Sequence, residues 1–127
     1  MRVFKTKVFA RFARRARVDD RSICEAVDRA AVGLIDADLG AGLIKQRIAR
    51  PGQGRSGGFR VIVIWRRKDR SIFVHGFAKN ERDSIDDTDL ADLKELARLF
   101  LTYDSKKLTR AVVEGELVEV NCRGKES

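Results

Sequence analysis

A single histidine, His75, and two cysteines, Cys24 and Cys122, are the only nitrogen and sulfur metal ligands in this chain of 127 residues. One histidine excludes a two-histidine ribonuclease mechanism. Two cysteines 98 positions apart, with no His or Cys beside them, make neither a zinc cluster nor a disulfide framework, so reduced, packed thiols are expected. Pro51 is the only proline and Trp65 the only tryptophan. No apolar run approaches the ~18 residues of a membrane span. The opening MRVFKTKVFARFARR is basic but has no continuous apolar stretch, unlike a secretory signal. HExxH, paired CxxC and GxxxxGK[ST] are all missing, and GQGRSGG does not lead from a strand into a helix as a dinucleotide loop does.

What the chain has in excess is positive charge, +8 at pH 7, and that charge is segregated. Residues 1–17 hold seven Lys/Arg and no acid, and residues 43–82 hold eleven against Asp69 and Glu81. Residues 18–42 and 83–104 reverse the balance, with six acids to two bases and seven to two. Segregation predicts one basic face that attracts a polyanion. Nucleic acid is the leading partner, ahead of an anionic membrane surface or an acidic protein.

With 43% apolar residues the chain reads as one domain that buries about two-thirds of its unfolded surface. VFKTKVF (3–9) alternates like a strand and runs into a short helix whose Phe9, Phe12, Ala13 and Ala16 share a face. Asp19 and Asp20 offer N-caps, and Ser22 with Glu25 matches a capping box, for a second helix ending near Gly33. After an acidic turn, DADLGAG (36–42), the period changes to two. LIKQRIAR (43–50), FRVIVIWRR (59–67) and SIFVHGFAK (71–79) predict an antiparallel meander. Residues 86–104 make a helix with acids at its N-terminus, where the helix dipole favours them. The tail predicts a helical turn and an edge strand near Glu116–Val120. The class is α+β: an N-terminal strand and helices packed on one face of a twisted antiparallel sheet, with a C-terminal helix. The other face is left for cations. Residues 1–104 read as the domain and 105–127 as a C-terminal extension.

The meander gathers Lys45 and Arg47 from its first strand, Arg60 from the second, and Lys79 and Arg82 from the end of the third. Residues 47–60, RIARPGQGRSGGFR, add Arg50 and Arg55 among four glycines, with no acid. Such convergence neutralises phosphates and stabilises a pentavalent phosphorane when a 2′-hydroxyl attacks the adjacent phosphate. The competing reading is that each cation is a solvated strand residue, but neighbouring like charges are costly without an anion. His75, facing with Phe73 and Phe77 if alternation holds, is either a packed residue or a general acid/base. Trp65 is expected in the core. The acids show no metal-loop signature, which favours chemistry without a metal or other cofactor.

LIKQRIARPGQGRSGGFRVIVI followed by FVHGFAKNERDSIDDTDL resembles the RelE branch of the RelE/ParE toxin superfamily, and within it a HigB-like subgroup. The likeness covers residues 1–104. It implies a type II toxin that cleaves mRNA, typically in the ribosomal A site, leaving a 2′,3′-cyclic phosphate. It also implies a cytoplasmic protein neutralised by a cognate antitoxin, often of helix-turn-helix type. By position, Lys45 and Arg47 match the family's basic strand pair, one serving as base and the other as phosphate ligand. Arg60 matches a transition-state ligand, and Lys79 and Arg82 match the basic cluster closing the third strand. Arg50, Arg55 and Arg66 are expected RNA contacts. Asn80 replaces a further family arginine, and Asp86 lies near a family tyrosine, which leaves the general acid and base open. A ParE-like gyrase poison, a non-catalytic nucleic-acid-binding module and an inactive relic that still binds antitoxin are the alternatives.

Overall fold

A computed structural model describes residues 1–49, 58–79 and 85–122. Strand β1, Arg2–Thr6, ends where the Thr6 hydroxyl accepts from the Phe9 amide at 3.2 Å. That cap satisfies one of the orphan donors of helix α1, Lys7–Ala16. Helix α2, Asp20–Ala31, is capped by Asp19, whose carboxylate accepts from the Ser22 amide at 2.9 Å. Ser22 is therefore the third helical residue, and the Ser22–Glu25 capping box is not used.

Strands β2 (Ala37–Gly40), β3 (Leu43–Ile48), β4 (Phe59–Arg66) and β5 (Arg70–Ala78) follow, then helices α3 (Asp87–Thr102) and α4 (Ser105–Val113) and strand β6 (Leu117–Val120). The acidic turn is thus partly a strand. Its reversal narrows to Gly40–Gly42, where both glycines take φ +83°, a conformation that L side chains rarely adopt. Strand order in the six-stranded sheet is β2-β3-β4-β5-β1-β6. The β3–β4–β5 meander is antiparallel as expected, β1 joins β5 in parallel, and β6 closes the edge antiparallel to β1.

Both faces of the sheet are packed. On one, Phe9 and Ala13 of α1 and Ile23 and Val27 of α2 meet Ile44, Ile48, Val61, Val63 and Phe73. On the other, Ala97 and Phe100 of α3 and Leu108 and Ala111 of α4 meet Leu43, Ile62, Ile64, Ile72 and Val74. This corrects the expectation that helices cover one face alone. The even-numbered apolar residues of β4 need cover as much as the odd ones, which is why FRVIVIW reads as a continuous apolar run. The expected cation cluster holds one end of the second face, around Arg47 and Arg60. At the opposite end, buried Arg70 donates to the Phe100 and Tyr103 carbonyls at 2.9 and 2.6 Å and pins the end of α3 to β5.

The cysteines also require correction. Cys24 and Cys122 are joined in a disulfide, with Cα atoms 5.5 Å apart, and are not reduced thiols. Pairing of β6 on β1 carries the chain to the α2 side, a contact that sequence separation conceals.

Candidate functional site

Arg47 lies directly across from Arg60 in the β3–β4 ladder, and Lys45 across from Ile62. Directly paired residues share a face, so all three cations point to the α3 side, at the end where Ile48, Phe59 and Ala78 stand level. Arg60 is buried, Lys45 is partly buried and Arg47 is exposed. Gln46, pointing the other way, is buried and donates to the Ala26 and Leu34 carbonyls at 2.9 and 3.1 Å, locking β3 to α2 and the segment after it.

Among these cations stands an acid that sequence reasoning missed. Asp36 Oδ1 accepts from Arg47 Nε at 2.8 Å, while Oδ2 lies 3.5 Å from Lys45 Nζ and 3.9 Å from Arg60 Nε. Its backbone amide donates to the Lys45 carbonyl at 3.0 Å and to Gln46 Oε1 at 3.2 Å, so the carboxylate is held in place from behind. Burial pushes the Asp36 carboxyl up, but Arg47, Lys45 and Arg60 together outweigh it and hold the group below its ordinary range. Burial, reinforced by Arg47, lowers the Arg60 guanidinium, and Asp36 opposes that shift. The sequence signal was the Gly40–Gly42 reversal. Read as a hairpin turn, it brings residue 36 level with residues 45–47.

His75 pairs with Ile62, but the next ladder pair is Val63 with Phe73, which leaves Val74 as an extra residue in β5. This β-bulge breaks the alternation. Phe73 packs on the α1/α2 side while Val74 and His75 both turn toward α3. The expectation that His75 faces with Phe73 is therefore corrected; it faces with Phe77 and the cations. It also lines a cleft of about 740 Å³ with Val8, Leu93, Leu96 and Phe100.

Lys79 is exposed just past β5, and its amide donates to the Gly58 carbonyl at 3.1 Å, which sets it beside the start of β4. Arg66 is not brought to the cluster. It ends β4, six residues or roughly 20 Å from Arg60, and is engaged by Asp69 and by the Leu101 carbonyl at 3.2 Å. Asp86 serves as the N-cap of α3, accepting from the Asp89 amide at 2.8 Å. Arg50, Arg55, Asn80 and Arg82 lie outside the described residues. Trp65 is half-buried against the α1/α2 core, as expected.

Among the described residues no group of three or more His, Cys, Asp or Glu side chains is placed to hold a metal ion. None of their helices is long and apolar enough to cross a membrane. Three cations around one carboxylate, with an imidazole on the same face, suit the binding of a phosphodiester and the charge that grows on it during displacement.

No curated protein matches the chain. The family model described as the RelE toxin of the RelE / RelB toxin-antitoxin system matches residues 1–120.

Proposed function

Because this chain belongs to the RelE toxin family of toxin–antitoxin systems, we propose that it is an endoribonuclease that cuts mRNA on the ribosome and halts translation in the cytoplasm. The observation that carries this reading is the convergence of Lys45, Arg47 and Arg60 at one end of the sheet face. A poison acting through protein contacts alone has no need to hold three cations so close.

In the proposed reaction a ribose 2′-hydroxyl attacks the adjacent phosphorus, the bond to the 5′-oxygen breaks, and a 2′,3′-cyclic phosphate and a 5′-hydroxyl result. Arg47 and Arg60 ligate the non-bridging oxygens, where planar guanidinium groups bind in fork geometry. The 2′-hydroxyl proton passes to solvent water, and Lys45, beside the guanidinium groups, favours that loss by stabilising the alkoxide. His75 donates the proton that the departing 5′-oxygen requires. The support for that role is its pairing with Ile62, itself opposite Lys45, which puts the imidazole on the cations' face. Lys79 and Arg82 extend the phosphate track, with Arg50 and Arg55 as further grips on RNA or ribosome. Asp86, occupied with its helix cap, takes no part. No step is routed through a metal, since the carboxylate in the site is already ringed by cations. The neutralising partner is a cognate antitoxin, of helix-turn-helix type by the HigB-like resemblance.

Induced expression without the antitoxin, followed by primer extension on translated messages, tests the proposal. Cuts that appear within coding sequence and require ribosomes are expected. DNA breaks without RNA cuts would overturn it in favour of a gyrase poison, and soluble protein with unchanged growth would point to a binding module.

A further inference from the structure

Asp36 sits where a nuclease of anionic RNA would be expected to have no negative charge. Its two carboxylate oxygens face Arg47 on one side and Lys45 with Arg60 on the other, as two non-bridging phosphate oxygens would. We propose that Asp36 is an internal counter-ion which holds Arg47 in the free protein and yields it to an RNA phosphate on binding, so that it sets the affinity for RNA. This rests on the RNA-cleaving reading above and deepens it.

The distances and burial say which partner moves. Asp36 is anchored by its own amide to Lys45 and Gln46, and its side chain is only 13% exposed. Arg60 is more enclosed still, at 4%. Arg47 is 48% exposed, and its hydrogen bond at 2.8 Å is the one close contact in the set. The contacts to Lys45 and Arg60, at 3.5 and 3.9 Å, are looser. Exchange therefore consists of Arg47 leaving Asp36 for the incoming phosphate, while Lys45 and Arg60 keep their looser contacts with the carboxylate. A carboxylate held below its ordinary range is a poor proton acceptor at neutral pH, which favours the counter-ion role over that of general base. The plainer reading is that Asp36 only relieves repulsion between the arginines. It predicts a loss of stability on neutralisation and no gain in RNA affinity, so the two separate.

The measurement is binding of a single-stranded RNA oligonucleotide carrying 2′-O-methyl groups, which lacks the attacking hydroxyl, by fluorescence anisotropy across a salt series. Asp36→Asn is expected to bind about tenfold more tightly than wild type, equivalent to ~1.4 kcal/mol. Its plot of log K against log salt should steepen by about 0.7, the increment for one further phosphate contact on a single strand. Asp36→Glu, which keeps the charge, should return toward wild type. A folded Asp36→Asn protein with equal or weaker affinity overturns the counter-ion role and leaves the RNA reading standing. Wild-type protein with no salt-dependent affinity for RNA overturns the RNA reading itself. Should Asp36→Asn not fold, the wild-type Arg47 Nε–H resonance decides: it should shift as the oligonucleotide is added, and a signal unmoved at saturation overturns the exchange.

Discussion

Arg47 and Arg60 stand directly opposite one another across the β3–β4 ladder, a pairing of like charges that is ordinarily destabilising. Asp36 answers both, and among the described residues this one carboxylate stands between Lys45, Arg47 and Arg60. The fold thus tolerates a repulsive arrangement at this end of the sheet. At the opposite end of the sheet Asp69 sits likewise between Arg66 and Arg70. Cations gathered on rigid strands are a feature of sites prepared for an anionic ligand.

Arg60 is the member of the cluster whose change should cost most in the chemical step. Being buried, it is better replaced by lysine than by alanine, because Arg60→Lys keeps charge and much of the stem while removing the bidentate fork. RNA cleavage should fall by about 10²–10³, as for loss of one preorganised transition-state donor. The melting temperature should stay within a few degrees of wild type. Single-turnover cleavage together with a thermal melt checks both, and cleavage at the wild-type rate would remove Arg60 from the site.

His75 should separate proton transfer from packing. His75→Gln keeps hydrogen-bonding capacity but does not titrate near neutrality. Cleavage should drop by about 10²-fold, the lower range for a lost general acid, and the pH–rate profile should lose one limb. An RNA with a better leaving group at the scissile bond should recover much of the rate in this variant and little of it in Arg60→Lys. Retention of full activity with an unchanged profile would make His75 a packing residue of the cleft beside α3.

How much of this was legible in the chain depends on the range of the interactions. Alternation in residues 43–79 gave the meander, and the charge segregation pointed to Lys45, Arg47 and Arg60 before any geometry was known. Three things were not legible. The bulge at Val74 turns on one extra residue in β5, which a period-two reading passes over. Asp36 was grouped with an acidic turn because its partners depend on the register of β2 with β3. The covered second face follows from α4 and β6, whose short segments carry weak periodicity but bury Leu108, Ala111 and Leu117.

The Cys24–Cys122 disulfide joins α2 to the second residue after the edge strand, across a sequence separation of 98. In the chain-entropy account, closing a loop of about 100 residues stabilises a fold by ~4.7 kcal/mol, with native strain reducing the realised value. Cys24 is buried and Cys122 only partly so, which makes Cys122→Ser the variant that opens the loop with least disturbance of packing. Its urea midpoint should fall clearly below that of oxidised wild type, and wild type treated with reductant should fall to match it. Cleavage of RNA under native conditions should be unchanged, because the disulfide lies on the α1/α2 face while Lys45, Arg47 and Arg60 occupy the other. Coincident midpoints for the oxidised and reduced protein would show that the bond contributes nothing to stability. Loss of cleavage in a folded Cys122→Ser protein would show instead that the two faces of the sheet are coupled.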